Sequence, residues 1–444
     1  MGRISRDRSG VRTLCRALIL LTGVSALFGC EGQAPESPNL VLISVDRLAT
    51  DRLGCFGGEA DAGGSICALG KGGTLFAWAI SSNRAEASGA ATILTGEPEA
   101  LHGVGRDGQS FLADRKPSVA EDLAAAGYAT AAFVASPRVN RSRRLDQGFD
   151  LYDDRLGSPS RSPDGGSVEL SDAVQSWIET APPPWFVWIH ADRDDGIVEL
   201  DRLFSRLSQT FAADRNGPGV LFVGLRGESD SPNPSTPGSA SAPASKIGWR
   251  THRIPLVWRP PTRDGIPATT VSLRLASLID VAPTLRAAAG AADPNARASD
   301  SPAPPGPQPE RGRDLMASSP PGGTESAADA HYVVIDGADA AAEVGLASTH
   351  HLYARLPSPL DGTGRAVPTA QLRALEARFM SLPWRDATST SAPASARIDP
   401  PRWRTDVLDS ESPVPQLEFH LARGLGALDT ARRVGVRREP KEPQ

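Results

Sequence analysis

The sequence predicts an α/β protein: a large, mostly parallel central sheet with helices on both faces, plus flexible insertions and a flexible C-terminal tail. Three observations predict this fold class. Short apolar runs alternate along the chain with amphipathic segments of helical period. The apolar runs are continuous, which is typical of strands covered on both faces. The 444 residues, 40% of them hydrophobic, are enough to build one large core.

The apolar runs predict six strands, and the amphipathic segments predict four helices. The predicted strands are 39–45, 128–135, 185–190, 220–224, 254–258 and 333–335. The predicted helices are 118–127, 171–180, 198–207 and 280–290. Ser118 and Glu121 form a capping-box pattern at the start of one helix, and Gly127 ends it. Asp280 caps another helix, which has Pro283 in its first turn.

The first thirty residues read as a targeting signal. Basic residues from Arg3 to Arg16 precede a short apolar stretch, 17–29, which is shorter than the about 20 residues that a membrane span needs. The stretch ends at Gly29 and Cys30, a pattern similar to the bacterial lipoprotein signal, in which Cys30 is acylated. We therefore expect a lipid-anchored protein of the bacterial cell envelope, facing the periplasm or the exterior. The alternative is an ordinary signal peptide that is cleaved nearby.

Composition divides the remaining chain. Residues 31–37 form a polar tether, and 38–383 form the folded domain. Segments 229–245 and 293–327 are rich in Pro, Ser, Gly or Ala and are predicted to be flexible insertions. Residues 384–444 are predicted to be a Pro-rich, mostly irregular tail.

Charge and cysteine content limit the partners and the compartment. The net charge is −5 and the mature part has no dense basic block, which argues against a nucleic-acid partner. Cys55 and Cys67 are the two cysteines left after the signal and the anchor. Outside the cytoplasm they either pair as a disulfide or remain as two free buried thiols.

Eight segments, in this order, resemble the sulfatase branch of the alkaline-phosphatase superfamily. They are NLVLISVDRLATDRLGCFG, GGTLFAWAISSN, TILTGEPEALHGV, SVAEDLAAAGYATAAFVAS with LDQGFDLYDD, WFVWIHADRDD, RIPLVWRPP, VSLRLASLIDVAPTLRAAAG and AEVGLASTHHLYAR. The resemblance covers about residues 38–358. It implies an alkaline-phosphatase-like fold. It also implies a family that hydrolyses sulfate or phosphate esters with a divalent cation and a modified cysteine, serine or threonine nucleophile.

The resemblance places only one metal ligand in this chain. Asp46, at the end of an apolar strand, matches the first metal carboxylate. Its neighbour Arg47 stands where the family often has a second acid or a small polar residue. On the second metal strand Leu225 and Arg226 replace the usual Asp-His before Gly-Glu. Leucine has no ligand atom, and arginine stays protonated and cannot coordinate a cation.

The nucleophile segment also departs from the family. Glu86, Ser88 and Ala90 stand where the Cys-x-Pro-x-Arg pattern belongs. Glu86 is neither an oxidisable cysteine nor a hydroxyl, and Ser88 is displaced by two positions. Asp195 occupies the place of a substrate-side histidine. The histidines His190, His102 and His252 are interpreted as structural.

These departures predict a pseudoenzyme that has lost the metal site. We expect it to bind no cofactor. We expect an ion-pair cluster in its place, with Arg47 and Arg226 pairing with Asp46 and Glu86. Such a protein would bind an anionic glycan or a protein partner, or serve as a scaffold, while its lipid holds it on the membrane. The alternative is a divergent sulfuric- or phosphoric-ester hydrolase or transferase. In that case Ser88 or another hydroxyl is the nucleophile, and a divalent cation such as calcium is bound at Asp46, Glu86 and Glu228.

Overall fold

A computed structural model describes most of the folded domain. Described are residues 37–59, 62–83, 85–105, 110–114, 116–157, 166–192, 196–212, 217–228, 249–261, 270–291 and 312–316, and the backbone of five later strands. The chain divides into two units, Met1–Ser37 and Pro38–Gln444. All features below belong to the second unit. The predicted signal, tether residues 31–36, the insertion 229–245 and most of the insertion 293–327 lie outside the described residues. Within 293–327, residues 312–316 are described, and Leu315 is buried there with its backbone N–H bonded to Oγ1 of Thr284 at 3.0 Å.

Nine strands form the main sheet, numbered here in chain order. They are β1 (Leu40–Arg47), β2 (Thr74–Ile80), β3 (Ala129–Val134), β4 (Leu151–Asp153), β5 (Trp185–Ala191), β6 (Gly219–Arg226), β7 (Arg253–Ile254), β8 (Leu256–Arg259) and β9 (Thr270–Ser277). The order is β4-β3-β5-β1-β6-β8-β2, and β7 and β9 also pair with β2. The β1–β5, β1–β6, β3–β4, β3–β5 and β2–β9 pairs are parallel, whereas β7 and β8 run antiparallel to their neighbours. The predicted mostly parallel sheet is confirmed.

Eight helices are described around this sheet. They are α1 (Gly64–Leu69), α2 (Glu86–Thr95), α3 (Glu99–His102), α4 (Val119–Ala125), α5 (Gly166–Ile178), α6 (Gly196–Ala212), α7 (Trp249–His252) and α8 (Val281–Ala289). The capping box predicted for α4 is present, with Ser118 accepting from the backbone N–H of Glu121. None of the helices in the described residues is long and apolar enough to cross a membrane.

Several element boundaries differ from the prediction. The predicted strand 254–258 is two strands, β7 and β8, because Pro255 cannot donate a backbone hydrogen bond to the sheet. Helix α5 begins five residues earlier than predicted, and α6 extends at both ends. The apolar and amphipathic patterns did not predict strands β2, β4 and β9 or helices α1, α2, α3 and α7. Helix α2 is buried along its whole length, so it carries no amphipathic period.

Alternating side chains of each strand fill the two cores on either side of the sheet. On β1, Val41, Ile43 and Val45 face one core, and Leu40 and Leu42 face the other. Helices α2, α4 and α8 cover the second core. Because Ser44 and Asp46 follow the same alternation as Leu40 and Leu42, the period places them on the face that α2 covers.

A second, antiparallel sheet lies late in the chain. Its strands are β10 (Val333–Ile335), β11 (Val344–Ala347), β12 (His351–Leu356), β13 (Thr369–Leu375) and β14 (Trp403–Thr405), paired in that order. Strand β10 has the predicted bounds. Strand β14 falls in the segment predicted to be mostly irregular, and the rest of that tail lies outside the described residues.

Cys55 and Cys67 are joined by a disulfide. The bond links the turn after β1 to helix α1 and closes a loop with a sequence separation of 12. Of the two alternatives that the sequence leaves open, the structure contains the disulfide.

Candidate functional site

The site lies where three adjacent parallel strands end. Strand β1 runs between β5 and β6, and Ser44 of β1 is in register with His190 of β5. Arg47 of β1 is in register with Arg226 of β6. The carboxyl ends of parallel strands are where α/β proteins place ligand sites, because the loops that follow them converge there. Asp46, at the end of β1, is therefore at the centre of this edge.

Asp46 is held by Arg226 in a two-pronged ion pair. The Nε and Nη2 groups of Arg226 donate to the two carboxylate oxygens of Asp46, at 2.7 and 2.8 Å. Asp46 is completely buried, and the Arg226 side chain is 20% exposed. Both oxygens that would face a metal ion thus accept hydrogen bonds from a permanent cation. Arginine forms such parallel bonds because its planar fork matches a carboxylate.

Arg47 brings a second cation to Asp46. Its Nε is 3.7 Å from Oδ2 of Asp46, a distance at which the attraction is electrostatic and not a hydrogen bond. The Nε of Arg47 is buried and has no hydrogen-bond partner, while its side chain as a whole is 36% exposed. Two guanidinium groups therefore lie within 4 Å of a single carboxylate.

Glu86 forms the second acidic centre of the site. It is the first residue of helix α2, and its side chain is completely buried. Oε1 is 3.0 Å from Nε2 of His190, and Oε2 accepts from Nη1 of Arg138 at 3.2 Å. Burial raises the pKa of Glu86. Hydrogen bonds from His190 and Ser136 and the charges of His190 and Arg138 outweigh it, so the pKa is lowered to about 2.

Arg138 extends from the second acidic centre to a further acid, Asp192. Burial lowers the pKa of Arg138, but Glu86, Asp192 and Asp46 favour its charged form, so the pKa is raised above its ordinary value. Its Nη1 is 4.0 Å from Oδ1 of Asp192, and its side chain is 49% exposed. Arg138 therefore reaches from the buried Glu86 to the surface.

A buried chain of hydrogen bonds orients His190. Nδ1 of His190 is 2.8 Å from Oγ of Ser44, which also accepts from the indole N–H of Trp188 at 2.9 Å. Because ionised Glu86 can only accept, the Nε2 of His190 carries the proton in their contact. Ser44, His190 and Trp188 are all buried within the part of the chain that the structure describes.

Ser88 belongs to a separate network. Its Oγ is 2.9 Å from Oδ1 of Asn83 and 2.6 Å from Oε2 of Glu99. Thr92 connects Asn83 to Nε2 of His102, and His102 accepts the backbone N–H of Val104 at Nδ1.

His102 is consequently a structural group. Burial lowers its pKa to about 3, and the charge of Lys116 contributes in the same direction. A neutral imidazole explains why Nδ1 can accept the backbone N–H of Val104.

Leu225, which the resemblance aligns with a metal ligand, is packed in an apolar core. It is completely buried and lies in the core that α2 covers, together with Ala90. A Cβ at Gly89 would stand 3.0 Å from the Cβ of Leu225. Helix α2 and strand β6 thus approach each other closely, through a residue without a side chain.

Glu228 is engaged in a surface ion-pair network. It accepts from Arg52 at 3.1 Å and from Arg250 at 3.0 Å, and Arg250 is also 3.1 Å from Asp51. These contacts hold the turn after β1 against the segment after β6.

The residues of this site do not fit a divalent cation. Such ions need several oxygen ligands, mostly carboxylates. Asp46 is occupied by Arg226, Leu225 has no ligand atom, and Arg47 repels a cation. In the described part of the chain no group of three or more His, Cys, Asp and Glu residues could hold a metal ion.

The structure brings most of the predicted site residues together, but Glu86 has different ion-pair partners from those predicted. Arg226 and Arg47 surround Asp46 as the ion-pair hypothesis expects. The prediction that they also pair with Glu86 is wrong, because Glu86 is bound to His190 and Arg138 instead. Asp195 and Cys30 lie outside the described residues.

The sequence analysis did not assign a site role to three residues that the structure places in the site. Arg138 and Ser44 were not singled out, and His190 was interpreted only as a core or turn residue. His190 is in the core, but it also binds Glu86. A usable signal for Ser44 existed, since it is a polar residue in an apolar strand two positions before Asp46.

Comparisons with known proteins support the fold alone. No protein-family profile matches the chain, and neither does any curated protein. A phosphonate monoester hydrolase of Agrobacterium radiobacter matches with a TM-score of 0.59 at 15% identity, covering 89% of this chain and 96% of the other. A protein solved with its substrate D-glucosamine-2-N,6-O-disulfate matches with a TM-score of 0.59 at 12% identity, covering 92% and 100%. An alkaline-phosphatase-superfamily protein from Vibrio parahaemolyticus matches with a TM-score of 0.56 at 14% identity, covering 90% and 88%.

At 12–15% identity these likenesses show the fold and nothing finer. The chain has the sulfatase-like fold of the alkaline-phosphatase superfamily. Fold does not determine activity, which depends on the residues at the site.

Proposed function

We propose that this protein is a sulfatase-like pseudoenzyme: a binding or scaffolding protein of the cell envelope without ester hydrolase activity. The pair between Asp46 and Arg226 supports this best. A cation that activates a nucleophile and polarises an ester oxygen would need the oxygens that Arg226 engages.

The nucleophile position supports the same proposal. Glu86 carries no hydroxyl or thiol and is completely buried against His190 and Arg138. Ser88 bonds to Asn83 and Glu99 and is itself buried. Neither residue is available to attack an ester.

The proposed location follows from the signal-like N-terminus. Acylation of Cys30 would hold the protein on the membrane, with the folded domain in the periplasm or outside the cell. In this position the protein would bind an anionic glycan or a protein partner. We propose no cofactor and no nucleic-acid partner.

A divergent metal-dependent sulfuric- or phosphoric-ester hydrolase or transferase is the alternative. It requires Arg226 to leave Asp46 and a hydroxyl to reach the same place. Glu228, its third proposed ligand, is paired with Arg52 and Arg250. The alternative therefore requires at least two ion-pair clusters to rearrange.

A turnover assay separates the two functions. Purified full-length protein would be incubated with 4-nitrophenyl sulfate and 4-nitrophenyl phosphate, with and without Ca²⁺, Mg²⁺ or Zn²⁺. The pseudoenzyme releases 4-nitrophenol no faster than buffer does. Asp46→Ala and Ser88→Ala serve as matched controls. Metal-dependent turnover that either substitution abolishes would establish the alternative.

A further inference from the structure

We propose that the protein presents one edge of its main sheet, the edge opposite the site, to the surface of the membrane. This amino-end edge consists of residues 37–39, 124–128 and 181–185, which lead into strands β1, β3 and β5. The inference rests on the proposed function, specifically on the lipid at Cys30, and adds an orientation to it. The partner is the lipid bilayer itself, and the Asp46 site would point away from it, towards a partner in solution.

Hydrogen bonds join the turns of the amino-end edge around the start of β1. The phenol O–H of Tyr128 donates to the carbonyl oxygen of Pro38 at 3.0 Å. The backbone N–H of Gly219 donates to the carbonyl oxygen of Asn39 at 2.9 Å, and that of Trp185 donates to Oδ1 of Asn39 at 3.0 Å. Because β1 lies between β5 and β6, the chain enters the domain near the middle of this edge.

The site lies at the far end of the same strand. Asp46 is six residues after Leu40, the first residue of β1, which corresponds to a rise of about 20 Å. The tether between Cys30 and Pro38 spans about 28 Å when fully extended and about 16 Å as a random coil. It therefore brings the amino-end edge to the membrane without constraint. Turning the site to the membrane would take nearly the whole extended tether, because the chain would have to run along the side of the domain.

The exposed tips of the amino-end edge carry no charged side chain. Alanines 124–126 are exposed at the end of α4, and Pro182 and Pro183 are exposed before β5. Exposed charged residues beside these tips, such as Lys71 and Glu179, occur in both signs. The chain as a whole carries a net charge of −5, and anionic lipids repel negative charge. An edge with uncharged tips can therefore approach a bilayer at low electrostatic cost.

Fluorescence quenching by membrane lipids tests this orientation. Pro182→Cys, on the amino-end edge, and Pro137→Cys, after the carboxyl end of β3, replace matched exposed prolines. Each full-length, lipidated variant would be labelled with a thiol-reactive fluorophore and reconstituted into phosphatidylcholine vesicles that contain lipids with a nitroxide headgroup. The Cys55–Cys67 disulfide does not react with the label. We expect the label at position 182 to lose emission and the label at position 137 to keep it, relative to vesicles without nitroxide.

Equal losses at the two positions, a greater loss at position 137, or no loss at either would overturn the inference. If Pro182→Cys does not fold, Ala125→Cys reports on the same edge, since Ala125 is also exposed. Triton X-114 partitioning of each variant shows independently whether the lipid is present. Failure in a lipidated protein removes only the orientation. A protein that carries no lipid overturns the orientation together with the proposed anchor, and ester turnover in the assay above removes the proposed pseudoenzyme.

Discussion

The Arg226–Asp46 pair is the residue-scale feature on which the site depends. Arg226 donates to both oxygens of the buried Asp46 carboxylate, whereas Arg47 approaches only to 3.7 Å. Removing one partner of a buried ion pair is costly because the remaining charge cannot return to water. The pair thus stabilises the strand ends in the place where a bound cation would neutralise Asp46.

Arg226→Gln should destabilise the protein by about 3 kcal/mol, the low end for a buried pair, because Arg226 keeps some exposure. Adding Asp46→Asn should restore most of this loss by removing the stranded charge. Urea unfolding at pH 7 measures both. Arg202→Gln is the control and should change stability by at most about 0.5 kcal/mol. Equal losses in the single and double variants would show that the charges are not coupled.

Glu86 should make the stability of the protein depend on acid pH. Its pKa is lowered from 4.5 to about 2 in the folded protein. A lowered carboxyl pKa adds stability above the unfolded pKa, and this stability is lost as pH falls from about 4.5 towards 2. The shift corresponds to about 3 kcal/mol.

Glu86→Gln should therefore be less stable than the wild type at pH 7, and the difference should shrink between pH 4.5 and pH 2.5. Urea unfolding across this range is the measurement. Glu179→Gln, at an exposed position, provides the matched control and should parallel the wild type. If the Glu86→Gln curve also runs parallel to the wild type, the carboxylate does not have the lowered pKa.

At the scale of elements, helix α2 and strand β6 approach each other closely at Gly89 and Leu225. Gly89 permits contact with Leu225, and a methyl group there would lie 3.0 Å from the Leu225 Cβ. Alanine would favour the helix by about 1 kcal/mol, but overpacking costs about 1–3 kcal/mol. The contact is expected to dominate, because both residues are buried.

Gly89→Ala should accordingly lower stability by about 1 kcal/mol, and its effect should become stabilising in a Leu225→Gly background, which removes the Cβ that the new methyl group would meet. Thermal or urea unfolding of the four proteins in this cycle gives the coupling. Gly64→Ala is the control, since a Cβ there meets nothing within 4 Å. Identical effects of Gly89→Ala in both backgrounds would contradict this packing account.

The strands were easier to predict from the sequence than the side-chain contacts within the site were. Continuous apolar runs place β1, β5 and β6, because buried parallel strands need no polar alternation. Helix α2 was missed, since a fully buried helix has no amphipathic face. Arg138 was missed because its partner Glu86 is 52 residues away in the chain, and nothing local indicates that contact.

At the scale of the whole molecule, the proposed lipid anchor can be tested separately from the proposed role of the folded domain. The Gly29–Cys30 pattern predicts a lipid anchor, whatever the domain binds. Cys30→Ser should move the protein from the detergent phase to the aqueous phase in Triton X-114 partitioning of expressing cells. Cys15→Ser lies within the signal and should leave partitioning unchanged. A Cys30→Ser protein that stays in the detergent phase would remove the anchor.

Metal content of the purified full-length protein tests the central claim most directly. After equilibration with Ca²⁺, Mg²⁺ and Zn²⁺ and removal of free ions, mass spectrometry of the elements should find well under one ion per chain. Asp46→Ala should give the same result as the wild type, because Arg226 and not a metal neutralises Asp46. One tightly held divalent ion per chain, lost in Asp46→Ala, would contradict the account.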